Sequence, residues 1–532
     1  MDYSASKSVT IVTAVYASVL LLLLFAGFRL AFHPLAKYPG PLISKLTGGY
    51  AGFHAIKKDL HLVTYRDHLK YGPVYRQSPN RLVFNSVEAL HDIYANPHVT
   101  KADSYKYTRM RNKTSLFNAL EKKDHRRRRS IIGHVISEQS MRKFEPTMMS
   151  QVDIFLEQLL LTSQHTETVN MTPRFQRLAI DIICLLGFGY SMRSQAEEKM
   201  RFVGEAMNAV SARLHIFMTW SVFAWLDPGI QFIFKSRIDR LRDALGNMIE
   251  ERMAKPKDAV YDLLSITSDA TIHAAEQEGL RGSELWAEAG IFFTAGGSTT
   301  ATALSSAFFY LSRHPAAYET LASEVRTTFK SASDIRGGPK LTGCKYLRAV
   351  IDETMRMSPP SLGTPWRQED PMLPKSKPFV VDGHEIPPGT VVGVNTYCIH
   401  HNDKYFPDSF SFRPDRWLEK EGETVQETKA RATMRRAFAP FSVGERSCAG
   451  KAMAYLELNL TLAKTLWYFD FEKTTGRDGQ LGAGKPGAAL GRHRPGEYQL
   501  YDIFTADHDG PNLVFKTREE YWRELVSHVE AE

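Results

Sequence analysis

Residues 441–450, Phe-Ser-Val-Gly-Glu-Arg-Ser-Cys-Ala-Gly, concentrate side chains that could hold a metal through sulfur. Cys448 stands where a glycine-bearing turn at Gly444 gives way to an apolar, helix-forming run at 451–468. The sulfur therefore sits at a helix N-terminus, where the dipole and unpaired amides favour the anionic thiolate that iron requires. Phe441 can cover the sulfur side of a porphyrin and Arg446 can reach a propionate. Gly450 lets the helix backbone approach the ring with no side chain between them. A buried free cysteine in a loop is the plain alternative.

The five fixed positions of Phe-x-x-Gly-x-Arg-x-Cys-x-Gly resemble the haem-ligand loop of the cytochrome P-450 superfamily, and the N-terminal apolar span, the proline-rich stretch after it, Ile386-Pro387-Pro388-Gly389-Thr390 and Tyr405-Phe406-Pro407-Asp408 resemble its fungal microsomal members. The resemblance implies a mainly α fold with a small β region. It implies haem b with Cys448 as axial thiolate, and Phe441, Gly444, Arg446 and Gly450 around the ring. Electrons would come from NADPH through a reductase. One oxygen atom from O2 would enter a hydrophobic small molecule and the other would leave as water. Cys448 would push electron density onto the iron and favour O–O cleavage.

Other elements must position these groups. Residues 285–311 read as one long apolar helix with Ala295-Gly296-Gly297-Ser298-Thr299-Thr300 at its middle. Two interior glycines cost about 1 kcal/mol each relative to alanine, so a compensating gain is expected. Close helix packing is one such gain. The resemblance implies another, a groove at Gly296 for oxygen beside the hydroxyl of Thr299. It also exposes a departure: Ser298 stands where the family usually has Asp or Glu, and would hold the relay water instead.

His125 and Arg129 are four apart and share a helical face. The resemblance makes them propionate partners, with Arg126, Arg127 and Arg128 directed outward and Arg367 as a further partner. Glu353 and Arg356, three apart on a helix over 347–357, would alone be an ordinary solvated pair. With Arg416 they match the network that the family buries behind its thiolate loop. By the same resemblance, 101–120 covers the active site. Tyr105, Ser115 and Phe117 then line the substrate pocket with Ala295, Leu362, Gly363 and Thr364.

Residues 8–28 carry no charge. At about 1.5 Å per residue they can cross the ~30 Å hydrocarbon layer, whereas a cleaved signal has a shorter apolar core. Arg29, His33, Lys37 and Lys45 follow the span and Lys7 alone precedes it, which places the C-terminal body in the cytosol. The expected organisation is a membrane anchor at 1–29, a proline-rich hinge at 30–45 and a haem-thiolate domain at 46–532, held single-pass in the endoplasmic reticulum membrane. Helical patterning runs from 139 to 264, with an aromatic roof over 214–234. Short β segments fall at 74–76 and 81–84, and 379–397 alternates like a hairpin turning at Pro387-Pro388-Gly389. Residues 475–497 read as a flexible surface insertion. Their Gly479-x-x-x-x-Gly484-Lys485 is not a phosphate loop, because Pro486 replaces the magnesium-binding hydroxyl.

Four widely spaced cysteines, Cys184, Cys344, Cys398 and Cys448, exclude a disulfide framework or a zinc cluster. The net charge of +8 is partly gathered in 122–129. A nucleic-acid patch is set aside, because no recognition module surrounds it. A solvated face and a docking face for an acidic reductase remain. The function expected is a membrane-anchored monooxygenase of fungal secondary metabolism. Two alternatives stand beside it: the same fold as a reductant-independent isomerase, dehydratase or peroxygenase, which Ser298 favours, and a non-catalytic haem- or lipid-binding membrane protein.

Overall fold

The computed structural model describes residues 2–110, 112–136, 138–165, 167–233, 235–256, 262, 283–372 and 378–525. Helix α1 (Asp2–Gly27) runs into a π-helical turn, Phe28–Phe32. Among the described residues, Thr10–Phe32 is the one helical stretch long and apolar enough to cross a membrane, and it is not buried against the rest of the chain. The span thus extends past the expected 8–28 and takes in Arg29. That guanidinium lies 4.4 Å over the Phe25 ring and donates to the Leu46 carbonyl at 2.6 Å. The proline-rich stretch after it lies on the body: Leu35 and Tyr38 are buried, and the Arg76 amide donates to the Pro39 carbonyl at 2.8 Å.

Strands β1 (Val74–Ser78), β2 (Arg81–Phe84), β3 (Val99–Lys101), β4 (Arg367–Glu369) and β5 (Val391–Val394) form a five-stranded sheet in the order β1-β2-β5-β4-β3. The β2–β5 pair is parallel and the others antiparallel. Its apolar residues, Leu82, Phe84, Val392 and Val394, are buried in one cluster. The expected hairpin at 379–397 turns earlier than Pro387. Asp382 and Gly383 adopt the left-handed conformation that a tight turn needs, and Val380–Val381 pairs with His384–Glu385.

The main layer is helical: α2 (Lys122–Val135), α3 (Glu138–Ser163), α4 (Met171–Phe188), α5 (Phe202–Thr219), α6 (Ser283–Leu311), α7 (Lys345–Met357) and α8 (Lys451–Tyr468). Helix α6 is apolar on all sides because it runs through the middle of the body. Its Phe308 packs on Phe175 of α4 at 4.9 Å and stacks on Phe471 at 4.7 Å between ring centroids. Of the helical pattern expected to reach 264, residues 257–261 and 263–264 lie outside the described residues, as does Phe234 of the roof. A hairpin of β6 (Tyr501–Ile503) and β7 (Thr505–Asp507) turns at Phe504.

Residues 475–497 are packed rather than a flexible insertion. Arg313 donates to the Gly479 carbonyl at 2.6 Å, and Lys485 and Arg492 bond through their backbones at 2.8 Å. A side chain at Gly479 or Gly484 would run into the carbonyl of Thr474 or Arg494. Those glycines serve a close backbone approach, which sequence composition alone presents as looseness.

Candidate functional site

Cys448 lies one turn before α8. Its amide donates to the Phe441 carbonyl at 2.8 Å, closing the loop on itself. Gly444 has φ +75, and a side chain there would press into the Tyr94 carbonyl, so this turn requires glycine. Cys448 is exposed by surface area, yet it lies deep enough that burial pushes its thiol up. The Gly450 amide, Arg129 and Lys451 pull in the other direction but do not prevail. A residue both deep and accessible lines an internal concavity. An anionic sulfur there needs a cation beside it, which a metal supplies. The helix N-terminus expected to favour the thiolate is therefore present but insufficient alone.

Five basic side chains converge beside this loop: Lys101, His125, Arg129, Arg367 and Arg446. Burial, then Arg446, Lys101, Arg129 and Arg367, lower His125 to about 3. Burial, then Arg367, Arg446 and Arg129, hold Lys101 well below the ordinary lysine range. Arg446 falls to about 10 through burial and Arg367. None of the five forms an ion pair among the described residues. Their hydrogen bonds go instead to neutral groups. Arg129 donates to the Ser447 carbonyl at 2.8 Å, Arg446 to Ala119 at 2.5 Å and Leu120 at 2.9 Å, and Arg367 to Trp366 at 3.1 Å.

The β3–β4 register sets Lys101 directly opposite Arg367. Like charges facing across a ladder are destabilising, and buried uncompensated charge costs several kcal/mol. Such a cluster calls for an anion with more than one charge. The two propionates of a haem fit it, and the accessible sulfur fits its iron. Lys101 is absent from the sequence-based set, because only strand register brings it to Arg367.

Glu353, Arg356 and Arg416 are brought together. Arg356 meets both Glu353 oxygens at 2.9 Å and Arg416 meets one at 3.1 Å, with Glu353 and Arg356 fully buried. Trp417 Nε1 and the Arg413 amide complete the carboxylate's shell at 3.0 and 2.9 Å. Arg356 also donates to the His400 carbonyl, and the His400 ring receives the Ala439 amide, which links the network to the chain entering the cysteine loop.

On α6, Ala295 is exposed and Thr299 half-exposed, four apart on one face of the helix. Thr299 Oγ1 donates to the Ala295 carbonyl at 2.8 Å, and Ser298 is buried with its hydroxyl bonded back to Thr294 at 3.1 Å. The side-chain direction of Gly296 does not point into open space. A Cβ there would lie 2.7 Å from the Ile183 side chain of α4, and one on Gly297 would lie 3.0 Å from Met207. Both glycines serve close helix crossings, which corrects the groove expected at Gly296.

The outward placement expected for Arg126 to Arg128 holds only for the first. Arg126 is exposed and meets Glu445 at 2.5 Å. Arg127 pairs with Glu284 at 3.0 Å. Arg128 is buried and bonds Asp124, Glu284 and Glu288 at 2.9, 2.5 and 2.9 Å. Glu288 also accepts the Leu116 amide at 2.7 Å, and burial pushes its carboxyl up to about 7. Asp124 is a local partner on α2, but Glu284 and Glu288 lie on α6, about 160 residues away, and no local pattern points to them.

Of the pocket candidates, Tyr105 is buried and its hydroxyl lies 3.5 Å from Arg367. Phe117 stands 5.4 Å from the Tyr105 ring and 5.5 Å from Phe504. Ser115 and Leu362 are buried, and Gly363 and Thr364 are half-exposed. Phe504 was not foreseen. Its φ of +89 is strained for a non-glycine residue, and it turns the hairpin tip against Phe117.

The fold and site together define a mainly helical protein that closes a cysteine loop and a cationic cradle around one interior. The cytochrome P450 family description matches residues 39–498. The chain is 34% identical over 500 residues to cytochrome P450 monooxygenase AKT7 of Alternaria alternata, covering 92% of this chain and 94% of that protein. It is 34% identical over 498 residues to monooxygenase poxM of Penicillium oxalicum, covering 92% and 91%. It is 32% identical over 549 residues to monooxygenase apf7 of Gibberella fujikuroi, covering 97% and 99%. The chain belongs to the cytochrome P450 family and is an oxidoreductase of monooxygenase type. The family implies haem with a cysteine thiolate, a redox partner and a small-molecule substrate.

Proposed function

We propose that this protein is a membrane-anchored monooxygenase that oxidises a hydrophobic small molecule in fungal secondary metabolism. The observation that carries the reading is the buried cradle of Lys101, His125, Arg129, Arg367 and Arg446 beside an accessible, deep Cys448. Cys448 would ligate the iron, and the cradle would hold the propionates. When bound, the haem supplies the oxygen-activating chemistry. The chain supplies the rest. Thr299 holds a proton at Oγ1 on the interior face of α6. Ala295, Phe117, Phe504 and Leu362 give apolar walls that exclude water and suit an apolar substrate. The Glu353–Arg356–Arg416 network braces the chain that leads into the cysteine loop.

The chain would comprise an anchor at 1–29, a hinge at 30–45 and the catalytic domain at 46–532, with the domain cytosolic at the endoplasmic reticulum. NADPH would deliver electrons through its reductase. The exposed apolar span at 10–32 supports the anchor, and the names of the fungal relatives support the metabolic setting. Cys448→Ser tests the reading. The variant should fold and lose the red-shifted carbon monoxide band of the reduced thiolate form. Retention of that band would assign the ligand elsewhere.

A further inference from the structure

Arg76 on β1 is enclosed at 0% exposure, yet no carboxylate meets it among the described residues. Its Nε donates to the Pro79 carbonyl at 3.0 Å and one terminal nitrogen to the Arg29 carbonyl at 3.0 Å, while the other has no partner. The charges that act on it are cations. Burial, then Arg29, lower the Arg76 guanidinium, and burial, then Arg76, lower the Lys45 ammonium. Lys45 is half-exposed and makes no hydrogen bond or ion pair among the described residues. His33 is already committed, with one ring nitrogen on Asn80 at 3.0 Å and the other accepting the Leu35 amide at 3.1 Å. An enclosed charge without a counterion is costly, and like charges beside it add to the cost, so an anion from outside has much to gain here.

The backbone fixes where that anion must come from. Arg29 lies in the π-helical turn Phe28–Phe32 that ends the apolar stretch 10–32, so the bond from Arg76 to its carbonyl ties β1 to the end of the span. The short helix Leu42–Leu46 carries Lys45 and is tied to the same place twice. Ser44 Oγ donates to the Arg76 carbonyl at 2.8 Å, and Arg29 donates to the Leu46 carbonyl at 2.6 Å. On these same two elements Phe28, Phe32, Leu42 and Ile43 are exposed. Cations set among exposed apolar side chains at the end of a membrane span belong at the headgroup layer. The negative charge at that depth is lipid phosphate, which ammonium and guanidinium groups both bind.

We propose that half-exposed Lys45 and Arg29, backed by the enclosed charge of Arg76, hold the phosphate of an anionic membrane lipid where the span meets the catalytic body. This rests on the reading of 10–32 as the membrane anchor, and it names the class of lipid that the end of the anchor selects. Lys45 and Arg29 would contact the phosphate. Arg76, with no accessible surface, would act through its charge alone. A zwitterionic lipid carries its own ammonium beside the phosphate and gains less.

The test uses the full-length, haem-loaded protein in non-ionic detergent and native mass spectrometry, which counts bound lipids. The probes are dioleoyl phosphatidic acid, dioleoyl phosphatidylcholine and inorganic phosphate. Wild type should bind the phosphatidic acid at least about tenfold tighter than the phosphatidylcholine, and inorganic phosphate in large excess should not displace it. Lys45→Gln and Arg76→Gln should each cut that preference about fivefold. Lys45→Arg should keep it, as should Lys330→Gln, which removes an exposed charge elsewhere. Should Arg76→Gln lose the red-shifted carbon monoxide band, its fold has suffered and Lys45→Gln alone decides. Equal binding of the two lipids by wild type would overturn the site. So would a preference that survives Lys45→Gln, or one that falls as far in Lys330→Gln, since net charge would then be the cause. Displacement by inorganic phosphate would assign the cations to a soluble anion and overturn the lipid. Wild type held in membranes through an alkaline carbonate wash but without lipid preference defeats the lipid site alone, whereas wild type released by the wash defeats the anchor as well.

Discussion

The charges inside this protein are placed where burial works against them, and their side chains titrate accordingly. Glu457 on α8 is the clearest case outside the cradle. It is buried to 1% exposure, Thr300 of α6 bonds one oxygen, the other has no partner, and burial pushes its carboxyl up to about 8. Because the folded protein keeps a proton that the unfolded chain has released, Glu457 costs nothing below about pH 4.5. Its cost then grows as pH rises toward 8 and levels off above it. Glu457→Gln should match wild type near pH 4.5 and become more stable near pH 9, by on the order of a few kcal/mol. Urea midpoints at the two pH values check this. The acid of Glu288 titrates in both proteins and cancels in the difference. A gap independent of pH would show that Glu457 is ionised in the fold.

At the scale of elements, α6 shows what the sequence could and could not convey. Its existence, length and small-residue centre follow from the apolar run and the glycines. Its orientation does not, because the neighbour that meets each glycine is set by packing with α4. Gly296 and Gly297 therefore looked like either an oxygen groove or a helix crossing, and Ile183 at 2.7 Å decides for the crossing. The same distinction holds elsewhere. The cysteine loop and the Glu353–Arg356 pair are local and were legible, whereas Lys101, paired across strands with Arg367, was not. Gly296→Val should destabilise by about 2 kcal/mol through overpacking. Adding Ile183→Ala should recover most of that loss, so that a double-mutant cycle gives a coupling of at least about 1 kcal/mol. Additive losses would return Gly296 to an open groove.

For the whole molecule, the basic run at 122–129 takes on a different meaning once its partners are known. Helical spacing separates the inner His125 and Arg129 from their neighbours, but it cannot reveal that α6 brings Glu284 and Glu288 to Arg127 and Arg128. Those two arginines hold the fold, and reversing either would leave acids facing acids. Lys123, Arg435 and Arg436 stay exposed and are the charges left for an acidic reductase, while Arg126 joins α2 to Glu445 of the cysteine loop. Like charges grouped on one face raise encounter rates with an opposite partner and are screened by salt. Reversing Lys123, Arg435 and Arg436 to Glu together should slow reductase-driven turnover about tenfold and flatten its dependence on ionic strength. Turnover driven by peroxide, which needs no partner, should stay within about twofold of wild type. Arg127→Glu should instead lower the urea midpoint and reduce both activities alike. If the surface triple variant also lost both activities in parallel, these residues would be supporting the fold or the cradle, and docking would have to be sought on another face.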